Sequence, residues 1–293
     1  MADDDAPLPD RLKAATENGD WKVQLGRARA VIGLLAAAGS ADNEAVEEEQ
    51  FGPLLAWATS TTDAVLAQVA ALPQPDPPAE GELAPPAQRD PATTFFSSPP
   101  TDGQRLALRL SAAVSVAGIV EALPPGDQAE AARWAEACFG DVEQTALALE
   151  DASERDAWRT KSLIGRGSVR LALGAAQAEQ VVETEPTEED EAFIAASKLL
   201  QSALDDLSVA RSLRPRVTAP EPAPETLEGA DEDDEDEISA LSVEACLTFV
   251  GLYESLGEDA ETQVSIKKLE DKARSEGWEG YGEDDEDSEG DDD

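Results

Sequence analysis

The stretch "LTFVGLYESLGEDAETQVSIKKLEDKA", residues 247–273, contains two helical patterns that meet at Gly257. With the residues just before it, the first pattern places apolar side chains about 3.6 residues apart, at Ile238, Leu241, Ala245, Phe249, Leu252 and Leu256. The second pattern consists of Val264, Ile266, Leu269 and Ala273. Glycine commonly ends a helix with a tight turn. The stretch therefore predicts an antiparallel helical hairpin over residues 238–277.

A longer hairpin is predicted upstream, within a set of central helical hairpins at residues 105–214. Its first helix, residues 156–182, has an apolar stripe of Ile164, Leu171, Ala175 and Val182. Its second helix, residues 190–213, has one face lined by Ala192, Ala196, Leu199, Ala203, Leu207 and Ala210. The second helix follows Thr187 and three acids, and it is closed by Arg211, Arg214 and Arg216. Both ends suit the helix dipole, which supports the assignment.

Three glycines interrupt the first of these helices, at Gly165, Gly167 and Gly174. Each one destabilises a helix by about 1 kcal/mol relative to alanine, so we expect the glycines to have a packing or functional reason. A phosphate-binding loop would need a preceding strand or a GK[ST] element, and "GRGSVRLALG" has neither. We expect instead that the glycines allow a neighbouring helix to approach closely.

The first third of the chain predicts N-terminal helices over residues 10–72, after a disordered start at residues 1–9. One helix is expected from about 20 to 38, with Gly39 as its end and a face of Val23, Ala30, Leu34 and Ala37. A second is expected to start at Pro53, with Leu54, Ala58, Val65, Val69 and Leu72 on one face. Residues 73–104 are rich in proline and predict a loop, in which Phe95 and Phe96 either pin the loop to the body or form a partner-binding motif.

The middle of the chain opens with a helix at residues 105–123 that is apolar around most of its circumference. Such a helix belongs in the middle of a stack, covered on both sides. Trp134 and Cys138 then share the face of a following helix. Asp141 and Gln144 have the spacing of a capping box, which predicts that another helix begins there.

Negative charge dominates the composition, with 64 acidic and 22 basic residues and a net charge of −42. Two blocks concentrate it, residues 225–237 and residues 283–293, although the rest of the chain is acidic too. Such a surface repels nucleic acid. We interpret residues 215–237 as an acidic linker and residues 278–293 as a disordered acidic tail; these either solubilise the chain or attract basic partners and exclude wrong ones. The stretch "DEDDEDEISALSVE", residues 231–244, lacks the glycine at the sharp turn of an EF-hand loop, so calcium binding is not expected.

Catalysis is not expected, because the chain contains no histidine. This excludes Ser/His and Cys/His nucleophiles, a histidine base and histidine-ligated zinc or iron. Cys138 and Cys246 lie in apolar helical patterns and predict buried free thiols rather than a disulfide or metal site. No cofactor and no metal are predicted. There is no apolar run of about 18 residues and no secretory leader, so we expect a soluble protein made inside the cell, without a membrane partner.

These patterns predict an all-α fold, an irregular tetratricopeptide-like helical-hairpin solenoid. The final hairpin resembles a tetratricopeptide repeat, whose first helix ends in a tyrosine, a leucine and a turn glycine, matched here by Tyr253, Leu256 and Gly257. We expect these three residues to serve packing and the turn. Val250, Thr262 and Leu269 depart from the small residues that the repeat prefers.

At the level of order and spacing, residues 156–277 resemble the fungal enhancer-of-translation-termination family. The likeness rests on "KSLIGRGSVRLALGAA", "AASKLLQSALDDLSVARSL" and "ALSVEACLTFVGLYESLGEDAETQVSIKKLEDKARSEG". It implies a non-enzymatic nuclear scaffold for accurate translation termination, whose partners are termination factors or an iron- and 2-oxoglutarate-dependent dioxygenase of the prolyl-hydroxylase type. The iron would belong to the partner. Family members usually begin with a lysine-rich nuclear signal, whereas this chain begins "MADDDAP", which leaves the cytoplasm as the other compartment.

Two other functions are compatible with the sequence. An acidic tetratricopeptide-like chaperone of histones or other basic proteins would use the acidic run before the last hairpin to hold its cargo. A small-molecule enzyme would need a deep pocket with paired carboxylates. Ser288, followed by "EGD", also fits a site for an acid-directed kinase.

Overall fold

The computed structural model describes residues 21–38, 46–72, 101–184, 186–213, 230–257 and 260–279. Within these ranges the regular structure is entirely helical, without a strand, which confirms the all-α prediction. The helices are α1 (Trp21–Ala38), α2 (Glu48–Ala71), α3 (Asp102–Ala117), α4 (Pro125–Ala146), α5 (Ala152–Val182), α6 (Glu191–Leu213), α7 (Ala230–Glu254) and α8 (Ala260–Ser275).

Successive helices pair into four hairpins, α1–α2, α3–α4, α5–α6 and α7–α8, as expected of a helical-hairpin solenoid. The closest pairing is between α5 and α6, and α5 also packs on α4 and α7. Two large apolar cores result. One includes Val169 and Ala172 of α5 with side chains of α1 to α4, and the other includes Leu171 and Val181 of α5 with side chains of α6 to α8. The long helix α5 therefore joins the N-terminal and C-terminal hairpins into one stack.

The glycines of α5 lie where neighbouring helices approach it most closely. A Cβ atom at Gly165 would lie 2.4 Å from ring atoms of Phe139 on α4. At Gly167 and Gly174 it would lie 3.1 Å and 3.0 Å from leucine side chains of α6. These distances leave little or no room for a side chain, because ordinary van der Waals contacts begin near 3.5 Å. The predicted close helix approach is confirmed.

The predicted face of α1 is wrong at three of its four positions; the fourth, Leu34, is partly buried against the first core. Val23 of that face is 46% exposed, and Ala30 and Ala37 are exposed as well. The buried side chains are Leu25, Ala28, Val31, Ile32 and Leu35. The sequence "AVIGLLAAA" is apolar on several sides, so periodicity alone does not decide which side packs; contact with α2 does.

Helix α2 begins at Glu48, five residues before the predicted start at Pro53. The additional turn buries Phe51 in the first core, which favours the longer helix. Pro53 is exposed inside the helix, where it removes one backbone donor. The predicted stop at Gly39, the disordered start at residues 1–9 and Phe95 and Phe96 lie outside the described residues.

Two boundaries in the middle of the chain also differ from the prediction. Helix α3 runs from Asp102 to Ala117 instead of 105–123, starting at a capping box between Thr101 and Gln104, so the preceding loop ends before 104. It is not covered on both sides, since Val114 is 52% exposed. Helix α4 continues through Asp141, which pairs with Arg109 at 3.1 Å instead of capping a new helix.

The acidic linker is shorter than predicted, because α7 begins at Ala230 and not at Ile238. The run at residues 231–237 is therefore helical, and residues 214–229 lie outside the described part of the chain. Lys161 lies 3.5 Å from Asp234, and Arg211 lies 3.3 Å from Glu235. Two cations of the α5–α6 hairpin therefore offset part of the negative charge at the start of α7. Carboxylates in the first turns of a helix also interact favourably with its dipole.

In the final hairpin the buried face of α7 follows the prediction, with Ile238, Ala245, Phe249 and Leu252 buried. Helix α8 does so only in part. Ile266 and Ala273 are buried, but Val264 is 54% exposed and Thr262 is buried in its stead. The buried side chain lies two residues before the predicted one, because this 16-residue helix has too few apolar residues to fix its buried face from sequence alone.

Candidate partner-binding surface

The start of α7, which carries the acidic run of residues 231–237, and the end of α8, which precedes the second acidic block in sequence, lie at the same end of the final hairpin. Because α7 and α8 are antiparallel, the first turns of α7 lie beside the end of α8. Arg211 contacts both segments. It lies 3.3 Å from Glu235 of α7 and donates a hydrogen bond of 2.6 Å to Glu276, just after α8. The acidic run of residues 231–237 and the segment that leads to residues 283–293 thus meet at one place on the surface.

Beside this place lies a shallow, open depression of about 570 Å³ between α7 and the segment after α8. Its apolar lining consists of Ala240, Val243, Leu247 and Trp278, and its carboxylates are Glu244, Glu276 and Glu279. Trp278 is half-buried against the second core, and the Arg274 guanidinium lies 5.4 Å from the centre of its ring. The depression thus offers an aromatic and aliphatic floor with an acidic border.

A second open depression, of about 530 Å³, lies between the later part of α7 and the end of α5. Its lining includes Ala175, Ala178, Val182, Gly251 and Leu252, with Glu179 and Glu254 as its carboxylates. Thr248 lines both depressions. We call the outward side of α7 over residues 239–255, together with Trp278 and residues 175–182, the α7 face.

Most of the charge on the α7 face is not balanced locally; among the described residues, Glu276 is the lining carboxylate that pairs with a cation, Arg211. None of the residues that line the two depressions is a lysine or an arginine. Partial burial raises the pKa of Glu244, and the nearby carboxylate of Glu121 raises it further. Burial likewise raises the pKa of Glu237, with Asp234 adding to the effect and Lys161 opposing it. These carboxylates would each gain from a nearby cation.

The predicted packing residues of the final hairpin lie away from this face. The Tyr253 ring stacks on Phe249 with centroids 5.4 Å apart and meets Phe193 of α6 edge-on at 5.7 Å. Leu256 packs against the same core, and Gly257 has a φ of 107°, a conformation that side chains rarely adopt. These three residues hold α7 against α6 and make the turn into α8. Ser288 lies outside the described residues.

A buried charge cluster between α4, α5 and α6 was not foreseen from the sequence. Asp206 of α6 is 7% exposed and accepts hydrogen bonds from Arg166 at 3.0 and 2.8 Å and from Arg170 at 2.7 Å. The same arginines bond Glu143 and Glu136 of α4. Arg166 and Arg170 are four residues apart and so share one side of α5. That spacing, beside glycines that mark a close helix approach, is the sequence feature that could have revealed the cluster.

The chemistry of the remaining polar residues gives no further site. Cys138 and Cys246 are buried free thiols, as predicted; burial raises the pKa of Cys138 to about 12 and also raises that of Cys246. Among the described residues, no group of three or more cysteine and acidic side chains is placed to hold a metal ion. No helix in the described ranges is both long and apolar enough to span a membrane.

Comparison of the chain with protein-family models, with curated proteins and with solved structures finds no match.

Proposed function

We propose that this chain is a non-enzymatic helical-repeat scaffold that binds a partner protein. The observation that carries the proposal is the α7 face: two shallow apolar depressions, joined at Thr248 and bordered by carboxylates. An open face of this kind suits contact with another macromolecule, whereas small-molecule sites are usually concave and enclose most of the ligand. Stacked helical hairpins commonly use such extended surfaces for binding.

The resemblance to the enhancer-of-translation-termination family makes the proposal more specific. On that basis we propose a prolyl-hydroxylase-type dioxygenase or translation termination factors as partners, and the nucleus as the place of action. The quoted segments form the last two hairpins, α5–α6 and α7–α8. Any iron would then be held by the partner.

Affinity purification of the full chain from cells that express it, followed by mass spectrometry, tests this proposal. A dioxygenase or termination factors recovered in amounts near those of the chain would support the specific form. Another protein recovered in such amounts would support the scaffold alone. Recovery of nothing above background would contradict the proposed function.

A second candidate, an acidic chaperone of histones or other basic proteins, is favoured by the acidic run at the start of α7, beside the segment after α8 from which the second acidic block continues in sequence. Deleting residues 225–237 would remove the start of α7 and would damage the fold. The better variant replaces Asp231, Glu232 and Asp233 by Asn or Gln and the acids of residues 283–293 likewise. A chaperone should lose its basic cargo in this variant, whereas a scaffold that binds through the α7 face should retain its partner.

A further inference from the structure

We propose that the α7 face binds a cationic amphipathic segment of a partner protein, with apolar side chains on one side and lysine or arginine beside them. The inference deepens the proposed function and rests on it, because it names the chemistry of what the scaffold binds. It concerns the α7 face and not the acidic blocks, so the two contributions can be separated by mutation.

The dimensions of the face fit a peptide segment. From Ser239 to its end at Glu254 α7 rises about 22 Å, at about 1.5 Å per residue, which equals the length of a helix of about four turns. One depression lies toward each end of this length. An occupant that fills both therefore needs two apolar groups separated along its length, which a helical segment provides at intervals of seven to eleven residues.

The apolar residues of the face provide the contact energy. Val243, Leu247 and Trp278 are each half-buried in the folded chain, and Val182 at the far end is 46% exposed. Covering such side chains contributes about 25 cal/mol for each Å² of apolar surface removed from water. Tryptophan is also among the residues that contribute most to binding at interfaces.

The carboxylates determine which kind of segment is favoured. Glu244 and Glu279 border the first depression, and Glu179 and Glu254 border the second. Two arginines lie near the first depression, but Arg211 is bonded to Glu276, and Arg274 lies over the Trp278 ring. A cationic segment is therefore attracted, and an acidic one repelled, by most of the border.

The chain's own acidic blocks are poor occupants for the same reason. Residues 280–293 follow directly after the first depression and contain nine acidic and no basic residues. Their charge has the same sign as that of the border, so the border repels them. This places the expected occupant on another molecule.

Three synthetic peptides of about 16 residues, labelled with a fluorophore, test the inference by fluorescence anisotropy with the full-length chain. The first carries leucine on one helical face and lysine elsewhere. The second replaces every leucine by glutamine and keeps the charge, and the third replaces every lysine by glutamate and keeps the leucines. We expect the first peptide to bind at least about tenfold more tightly than either of the others.

A variant of the chain blocks the face without disturbing the fold. A Cβ atom at Gly251 meets nothing within 4 Å, and Gly251 lines the second depression, so Gly251→Leu fills that depression with a side chain. Gly33→Leu is the matched control, since Gly33 is exposed on α1 and likewise meets nothing within 4 Å. Circular dichroism and thermal unfolding should report both variants as folded.

We expect Gly251→Leu to weaken binding of the leucine–lysine peptide by at least about tenfold and Gly33→Leu to leave it unchanged. Equal binding of the leucine–lysine and glutamine–lysine peptides, with no effect of Gly251→Leu, would mean that the acidic blocks alone attract cations and would overturn the inference. Equal binding of the leucine–glutamate peptide, or no binding of any peptide, would overturn it as well.

Failure here is distinguishable from failure of the proposed function. If the peptides do not bind but purification still recovers a protein whose amount does not change in Gly251→Leu, the scaffold stands and the α7 face is not its site. If purification recovers nothing, the proposed function is wrong whatever the peptides do.

Discussion

The α5–α6 and α7–α8 hairpins hold their carboxylates in opposite ways. Between α5 and its neighbours, Asp206 is buried and accepts three hydrogen bonds from two arginines. On the α7 face, Glu244 is largely exposed, has no ion pair among the described residues, and has a raised pKa. Asp206 thus fixes helices to each other, whereas the α7–α8 hairpin pairs some carboxylates with Lys161 and Arg211 but presents Glu244 outward. Stability should therefore depend on the first arrangement and binding on the second.

The largest loss of stability should come from Asp206→Ala, which leaves Arg166 and Arg170 without their shared partner. Breaking a buried ion pair costs about 3–5 kcal/mol, and partial exposure of the two arginines places the effect near the lower end, about 3 kcal/mol. Urea unfolding followed by circular dichroism measures it.

The control for this change is Asp205→Ala, because Asp205 is the exposed neighbour on the same helix and accepts a bond only from Gln201 in the described structure. It should cost less than about 0.5 kcal/mol. Equal losses in the two variants would mean that the buried cluster does not hold α5 and α6 together.

A thiol on the outer side of α7 should react at least about a hundredfold faster than one on the inner side, a difference equivalent to about 2.7 kcal/mol. Cys246 is buried with a raised pKa, so iodoacetamide should hardly modify it below the unfolding transition. A cysteine at the half-exposed position next to it, in Leu247→Cys, should react readily. Mass spectrometry of digested protein gives both rates, and similar rates at 246 and 247 would contradict the assignment of the two sides.

Close packing of α5 against α4 predicts a loss of stability when a side chain is added at their contact. Gly165→Ala should destabilise the chain by about 2 kcal/mol, because its Cβ would overlap the fully buried ring of Phe139. Gly140→Ala on α4 meets nothing within 4 Å and should instead stabilise by about 0.5–1 kcal/mol. Thermal unfolding compares them, and a neutral Gly165→Ala would show that α4 lies farther from α5 than described.

The smallest effect is expected for Glu244→Gln, less than about 0.5 kcal/mol because Glu244 is largely exposed. Its pKa is raised in the folded state, so the folded chain binds the proton more tightly than the unfolded chain does, and ionisation disfavours folding. The gain from Glu244→Gln should thus be present at neutral pH and vanish as the pH falls below the usual carboxyl range. A gain that grows with acidification would contradict the sign.

Much of the fold follows from sequence patterns, because helical periodicity is strong where one face alone is apolar. The buried side of α7 is an example. The glycines of α5 were informative for another reason, because glycine inside a helix is unfavourable unless a neighbouring helix approaches closely. Periodicity does not identify the buried face of a helix that is apolar on several sides, as in α1. It also does not predict a helix boundary where ion pairs with other helices favour additional turns, as those of Lys161 and Arg211 do at the start of α7. Propensity alone does not contain these contacts.

The candidate surface was harder to predict. Val243 and Leu247 fall between the core positions of α7, so in sequence they look like ordinary surface residues, and Glu244 looks like a solvated charge. These residues form a binding surface only together with Trp278, which follows α8 and lines the same depression. The proximity of the acidic start of α7 to the end of α8, by contrast, could have been inferred from the sequence, because the ends of an antiparallel hairpin are neighbours.

Site-specific photo-crosslinking in cells that express the chain natively tests the central claim most directly. A photoreactive amino acid replaces Leu247 on the α7 face or, as the control, Val209, which is 43% exposed on α6. We predict that position 247 captures one partner protein, through a segment rich in lysine or arginine, and that position 209 does not capture it. No adduct at 247, or the same adducts at both positions, would contradict the account.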